Sequence, residues 1–366
     1  MRRSIVIAAL VALVAAPASL GLDRGQSRAL ARVAVKLSGL SEREPVRLVV
    51  ERPARFDERR VALLDRAQPR AARAYEERIF RALGLAAAPA GVLRRTLIEV
   101  HAGNGAYDPR TRTVYVRAGA SERPAALREV IHALEDQHFR LGEVPRLPGR
   151  DARLAATAAF EGYVELATRP VLGERRPPRH GTRLARFLEL ERGFTESVGL
   201  RFVADLRNLG GSTVALGGLR RLPATTEQVF HLDKYLQREP AAAIALARSA
   251  AGLRLREAGT FGELDVRALL AVFGVPRLDR VGTGWGGGRT ARYTGPGGEA
   301  IALVLKWDTA LDAAQWAGAV PVYARAAFGP APPHAIAFER SGRRTALVVG
   351  PDLGRAEALA RTLVGR

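Results

Sequence analysis

Apolar positions along the chain follow helical spacing in its first part and extended spacing near its end. Residues 26–40, 56–66 and 69–84 repeat apolar side chains every three to four positions, which predicts amphipathic helices. A β-branched run within 44–51 predicts a strand between the first two. From residue 289 the pattern becomes strand, strand, helix, strand, strand, helix. The sequence therefore predicts an α+β protein with a mainly helical body and a small C-terminal ββαββα module.

A further helix is predicted over residues 126–139, ALREVIHALEDQHF. The preceding run, residues 113–116, alternates in the manner of a strand at the edge of a sheet. Another helix is predicted from Asp151, a good N-cap residue, through DARLAATAAFEGYVELAT. The apolar stripe expected on the first of these two helices is Leu127, Val130, Ile131 and Leu134.

The string Arg128-Glu129-Val-Ile-His132 differs in one letter from the zinc-binding pattern H-E-x-x-H. Residues at i and i+4 share a helix face, so two histidines at that spacing can hold zinc while the glutamate at i+1 acts on the bound water. A third ligand must come from elsewhere. His132 is thus a candidate ligand, Glu129 a candidate general base and Glu161, on the next helix, a candidate third ligand.

Several segments resemble a family of exported bacterial and archaeal proteins related to the gluzincin zinc metallopeptidases. Its motif helix, HExxHALQDQHF, is matched here by REVIHALEDQHF, and the similarity extends over roughly residues 30 to 325. The other matching segments, in the family's order, are GAYDPRTRTVYV, DARLAATAAFEG, PATTEQVFHLDKYL, GWGGGR and KWDTALDAAQWA. The resemblance implies a zincin-like core, which we assign to residues 19–280. The strand and helix pattern predicts the small α/β module over residues 281–366.

The sequence departs from that family at residues on which catalysis depends. Arg128 stands where the family has its first zinc ligand, and the other departures are Glu135 for Gln, Tyr163 for an acidic residue and Gly288 for Asp. A guanidinium stays protonated and offers no lone pair to a metal. Zinc binding is therefore doubtful. We expect Arg128 to substitute for the metal by pairing with Glu161 or Glu129.

Other polar residues are candidates for the surroundings of the cleft. His231, in the segment TEQVFH, could stabilise an oxyanion in an active relative, or it could simply hydrogen-bond within a buried loop. His138 lies six positions beyond His132 and faces another side of the helix. The remaining cleft candidates are Glu135, Asp136, Glu165 and Tyr115.

The formal charge of +20 ordinarily suggests nucleic acid or an anionic membrane surface. Here the arginines are scattered among acidic residues rather than gathered with aromatic ones, so no specific nucleic-acid site is predicted. Arg2, Arg3, an apolar run and Ala16-Pro-Ala18 indicate an export signal over residues 1–18, or an uncleaved N-terminal membrane anchor. The absence of cysteine excludes thiolate zinc sites and cysteine nucleophiles.

Three functions are compatible with these features. The first is an exported protein of the metallopeptidase family that has lost hydrolytic activity and binds a peptide or an envelope protein as a scaffold. The second is an active zinc peptidase whose ligands are His132, Glu161 and a further group such as His138 or His231. The third is a basic protein that binds acidic wall polymer or nucleic acid through diffuse charge attraction.

Overall fold

The computed structural model describes residues 22, 24–87, 90–119, 122–174, 181–330 and 334–365. The predicted signal segment, residues 1–18, lies outside the described residues. None of the helices in the described ranges combines the length and apolar composition that crossing a membrane requires. The protein is a mixed α+β structure with a C-terminal sheet and helix, as the sequence pattern predicts.

The helical body surrounds a small sheet. Its helices are α1 (Arg24–Ser38), α2 (Pro53–Ala67), α3 (Arg70–Ala82), α4 (Val92–Val100), α5 (Glu122–Phe139), α6 (Gly149–Leu172), α7 (Arg183–Gly193), α8 (Gly199–Arg220), α9 (Thr226–Phe230) and α10 (Leu232–Gln237). A 3-10 turn, Leu141–Arg146, joins α5 to α6, and a π-helical turn, Phe194–Val198, joins α7 to α8. The predicted motif helix is thus α5, and the helix predicted from Asp151 is α6.

Three short strands, β1 (Arg47–Glu51), β2 (Gly105–Asp108) and β3 (Thr113–Arg117), form the small sheet in the order β1-β3-β2. β3 pairs with β1 in parallel and with β2 in antiparallel orientation. The edge strand that the sequence placed at residues 113–116 is therefore the central strand, and an edge is formed by β2. The pattern of apolar and polar residues could not show that this strand is central, because residues 113–116 are buried on both faces of the sheet.

The C-terminal sheet has six strands in the order β4-β5-β6-β7-β9-β8. These strands and the helices between them are β4 (Ser249–Ala250), β5 (Leu253–Thr260), α11 (Glu263–Val272), α12 (Leu278–Gly282), β6 (Trp285–Gly295), β7 (Gly298–Trp307), α13 (Ala310–Phe328), β8 (Ala335–Ser341), β9 (Arg344–Gly350) and α14 (Leu353–Val364). The order from β6 to α14 is the predicted ββαββα. The sheet also includes β4 and β5, which precede the boundary predicted at residue 281.

Both faces of the C-terminal sheet are buried, each in its own apolar core. Successive side chains of β7 point to opposite faces and so contribute to both cores. Ile301, Leu303 and Leu305 face a core that α13 shares with α3, α4 and α7. Ala302 and Val304 face a second core that α14 covers. The first of these cores joins the helical body to the C-terminal sheet.

A third core lies under the motif helix, where α1, α5, α6 and α8 meet the small sheet. The predicted stripe is buried there: Leu127, Val130, Ile131 and Leu134 are all fully enclosed. The helices α6 and α8 meet where Gly162 faces Gly199. A Cβ added at Gly162 would lie 2.2 Å from the Gly199 carbonyl, so the two backbones touch only because both positions lack a side chain.

Candidate functional site

The motif helix α5 is held between the small sheet, α1 and α6. At the start of β2, Gly105 packs directly on the side chain of Glu129, and a Cβ at Gly105 would lie 2.6 Å from the Glu129 Cγ. A residue without a side chain is therefore needed for β2 to approach α5 this closely. The contact places the candidate general base beside the edge strand.

Arg128 and Glu165 form a buried ion pair between α5 and α6. The exposed fractions of the two side chains are 8% and 2%. A second guanidinium, that of Arg169, lies 3.9 Å from the other Glu165 oxygen. The guanidinium thus compensates a buried carboxylate as expected, but the partner is Glu165, one turn beyond the predicted Glu161.

The imidazole of His132 lies between two carboxylates. Its Nδ1 is 2.8 Å from Glu135 Oε2, and its Nε2 is 3.5 Å from Glu161 Oε1. Burial by itself lowers the pKa of His132, but the two carboxylates outweigh it and raise that pKa well above the usual range. Burial also raises the pKa of Glu135 to about 7, while its hydrogen bond with His132 opposes the rise.

The residues present do not fit the three-ligand zinc site that the resemblance implies. Two ligands with bonds of about 2.0 Å at a tetrahedral angle lie roughly 3.3 Å apart, so the spacing of His132 and Glu161 alone would suit a metal. The third position, however, is Arg128, whose cationic group is paired with Glu165. Two ligands are too few for tight zinc binding.

Within the described residues, one cluster brings three metal-ligand side chains together: Glu227, Glu239 and Asp308. The ammonium of Lys234 contacts all three carboxylates, at 2.5, 3.2 and 2.7 Å. Burial raises the pKa of Glu227 to about 8, although Lys234 lowers it. Because the lysine already supplies the cation at the centre, we interpret this cluster as a link between the helical body and the C-terminal sheet.

A cleft composed of two adjoining cavities passes over α5 and α6. The apolar cavity, of about 470 Å³, is bounded chiefly by Leu63, Leu141, Val144, Pro145 and Phe160, and also by His132. The polar cavity, of about 390 Å³, extends towards α4 and α7. Both cavities share Ala67, Glu129, Thr157 and Glu161. Glu129 and Glu161 therefore lie where the two halves of the cleft meet, and His132 lines the apolar half alone.

A buried guanidinium surrounded by carboxylates forms one wall of the polar cavity. Arg150 contacts Asp265 and Glu191, and its Nε lies 3.8 Å from Glu76. Burial raises the pKa of Glu191 to about 7 even though Arg150 lowers it. Burial likewise raises the pKa of Glu76. One guanidinium thus compensates several buried carboxylates. The folded state therefore favours the protonated form of Glu191 and Glu76 more than the unfolded state does.

Two predicted cleft residues support the site from outside the apolar and polar cavities. Tyr115 packs under the Arg59 guanidinium, 3.8 Å from the ring centroid, and lines neither cavity. Asp136 accepts hydrogen bonds from the Tyr107 hydroxyl at 2.9 Å and from the Gly142 amide at 3.0 Å. It therefore fastens β2 and the 3-10 turn to α5.

His138 and His231, the alternative candidate ligands, lie away from His132 and Glu161. His138 Nε2 lies 2.8 Å from the Ser41 carbonyl oxygen, near the protein surface. His231 Nε2 lies 3.1 Å from Glu263 Oε1. Neither residue lines the cleft. The ligand set His132, Glu161 and His138 or His231 is consequently not assembled.

His101 is a cleft residue that the sequence did not indicate. It follows the last residue of α4 and lines the polar cavity together with Glu129 and Glu161. It belongs to no recognisable motif, since 28 positions separate it from Glu129.

Comparison with known proteins identifies one domain family. A domain of unknown function, DUF8575, matches residues 253–360. No curated protein and no solved structure matches the chain. The matched segment begins with β5 and ends within α14, so it covers most of the C-terminal sheet and leaves the cleft-lining part of α5 and α6 outside.

Proposed function

We propose that the protein is an exported, zincin-like member of a metallopeptidase lineage that has lost hydrolytic activity and binds polypeptide segments in its cleft. The observation that carries this proposal is the buried pair of Arg128 and Glu165 at the position of the first ligand. A fixed cation there excludes the donor that a zinc peptidase needs. The cleft nevertheless has two cavities, of about 390 and 470 Å³, and Glu129 and Glu161 line both of them.

The shape of the cleft supports a polypeptide ligand. Strand β2 has a hydrogen-bonded neighbour on one side, and Gly105, Tyr107 and Asp108 line the cleft. An extended peptide can add to such an edge through main-chain hydrogen bonds, while neighbouring pockets receive its side chains. The apolar cavity would receive one large apolar side chain, and the polar cavity would receive polar groups.

The zinc content of the purified protein after dialysis tests the loss of the metal site. We expect less than about 0.1 equivalent of zinc in the native chain, because two ligands hold zinc weakly. The combined variant Arg128→His, Glu165→Gln restores the ligand without leaving an unpaired buried carboxylate. It should retain about one equivalent.

The matched control is Arg128→Gln combined with Glu165→Gln, which removes the same ion pair but adds no ligand. Its zinc content should equal that of the native chain. Near one equivalent in the native chain, lost on His132→Ala, would refute the proposal.

One observation favours an active zinc peptidase as the second candidate. His101, Glu129 and Glu161 line the same cavity, so His101 supplies an imidazole that the degenerate motif lacks. This alternative predicts that native protein cleaves unfolded polypeptides, and that His101→Ala and Glu129→Gln each abolish cleavage. Digestion of full-length casein by the native protein and by each variant separates the active peptidase from the inactive binding protein.

A further inference from the structure

A third cavity, of about 700 Å³, adjoins the cleft and is rich in arginine. We call it the basic cavity. Its arginines are Arg43, Arg110, Arg112, Arg140 and Arg146, and its acidic residues are Glu44, Asp136 and Glu143. The five arginines exceed the three acids by two positive charges. Each arginine is exposed, so a ligand in the cavity can reach the guanidinium groups.

The acids of the basic cavity are already engaged. Glu44 pairs with Arg112 at 2.7 Å, and Glu143 lies 3.5 Å from Arg140. Asp136 accepts its hydrogen bonds from Tyr107 and Gly142. Within the described part of the chain, the guanidinium groups of Arg110 and Arg146 form no ion pair. Arg43 likewise forms no ion pair there, but its guanidinium donates a hydrogen bond to the Gln137 carbonyl oxygen at 2.9 Å. Arg110 and Arg146 are thus the guanidinium groups of the cavity to which the described residues supply neither an ion pair nor a hydrogen bond.

The basic cavity continues the apolar half of the cleft. Pro109 and Arg110, in the turn after β2, line both the apolar cavity and the basic cavity. Val144 and Pro145 of the 3-10 turn also line the apolar cavity, and the next residue, Arg146, lines the basic one. A chain that leaves the apolar cavity in this direction thus enters the space lined by Arg110 and Arg146.

We propose that the polypeptide recognised by the cleft is acidic, with an apolar side chain in the apolar cavity and an adjacent carboxylate between Arg110 and Arg146. This inference rests on the proposed function, because it assumes that the cleft binds polypeptide. The carboxylate belongs either to an Asp or Glu side chain or to the C-terminus of the ligand. Arginine pairs with both in the same bidentate geometry.

Fluorescence anisotropy with synthetic peptides tests the inference. The probes are fluorescein-labelled glycine–serine peptides that carry Leu, Phe or Val followed by Glu-Glu or by Gln-Gln, each with a free or an amidated C-terminus. We expect the tightest binding from peptides with Glu-Glu. The double variant Arg110→Gln, Arg146→Gln should bind these peptides about tenfold more weakly. The loss is moderate because each exposed ion pair contributes little to the binding free energy.

The control variant is Arg70→Gln with Arg78→Gln. These arginines are also exposed, form no ion pair within the described residues, and lie on α3 at another cavity. The control changes the net charge by the same amount, so its peptide affinity should stay within about twofold of native. An equal loss in both variants would show diffuse charge attraction and overturn the inference.

The remaining outcomes separate the two proposals. One outcome is that amidation of the C-terminus weakens binding of the Gln-Gln peptides to the native protein but has no effect on binding to the variant with both Arg110→Gln and Arg146→Gln. The ligand carboxylate is then a chain terminus, and the inference is supported. Equal affinity for Glu-Glu and Gln-Gln peptides, with no effect of amidation, contradicts the inference and leaves peptide binding intact. Absence of binding by every peptide contradicts the proposed function itself, and the inference fails with it.

Discussion

Removal of the Arg128 guanidinium is expected to destabilise the protein strongly. The Arg128→Met variant leaves Glu165 buried, with 2% of its side chain exposed, and without its closest cation. Breaking a buried pair in this way typically costs about 3–5 kcal/mol of unfolding free energy. Arg169, 3.9 Å from the second carboxylate oxygen, compensates part of the charge. We therefore expect a loss near the lower limit, about 3 kcal/mol.

Urea unfolding followed by far-ultraviolet circular dichroism measures this loss. A double-mutant cycle adds Glu165→Leu and the combination Arg128→Met, Glu165→Leu. The combined variant should lie within about 1–2 kcal/mol of native, because apolar side chains can replace a buried pair without leaving a charge behind. Coincidence of the circular dichroism and tryptophan fluorescence transitions checks the two-state assumption.

The matched control for this cycle is the exposed pair Arg112 and Glu44, whose side chains are 66% and 61% exposed. Arg112→Met should cost less than about 1 kcal/mol. Two outcomes would contradict the role of the Arg128 guanidinium as a compensating charge in place of the metal. In the first, Arg128→Met lowers the unfolding free energy no more than Arg112→Met. In the second, the losses of unfolding free energy from Arg128→Met and Glu165→Leu add up to the loss in the combined variant.

Two further predictions concern charge and packing. Because burial raises the native pKa of Glu191 to about 7, the unfolded chain loses its proton first, so the unfolding free energy falls as pH rises from about 4.5 to 7. Each pKa unit corresponds to about 1.4 kcal/mol, so urea unfolding should show Glu191→Gln reducing that fall by up to about 3 kcal/mol. Gly162→Ala forces a methyl group against Gly199 and should cost about 3 kcal/mol in the same assay. Gly193→Ala, with open space around its Cβ, should be neutral or slightly stabilising, and equal effects of the two substitutions would contradict the packing argument.

The sequence predicted the elements better than their arrangement. The apolar stripe of α5 and the ββαββα order follow from periodicity, which acts within one element. The partner of Arg128 depends on how far α6 is displaced along α5. Glu161 and Glu165 share a face of α6 and differ by about one turn, so spacing alone could not choose between them.

Sheet order and cleft composition depend on longer-range packing. The strand β2 has four residues, too few for a clear alternation, and it lies at the edge because the distant strand β1 pairs with the other side of β3. The strand β5 has alternating burial, but its exposed positions include Arg254 and Arg256, so its sequence has the composition of a charged surface segment. His101 reaches the cleft because α4 ends there, and no local pattern reports that position.

Two ion pairs also define how much of the chain must fold together. Asp265 and Asp308 lie inside the segment matched by DUF8575, whereas their cationic partners, Arg150 and Lys234, lie in the helical body. A fragment cut at the limits of that segment would retain the carboxylates and lose both cations, together with the part of the apolar core supplied by α3, α4 and α7. The limits of sequence similarity are therefore not the limits of an independently folding unit. Fragments intended for expression should retain the chain from α1 onward.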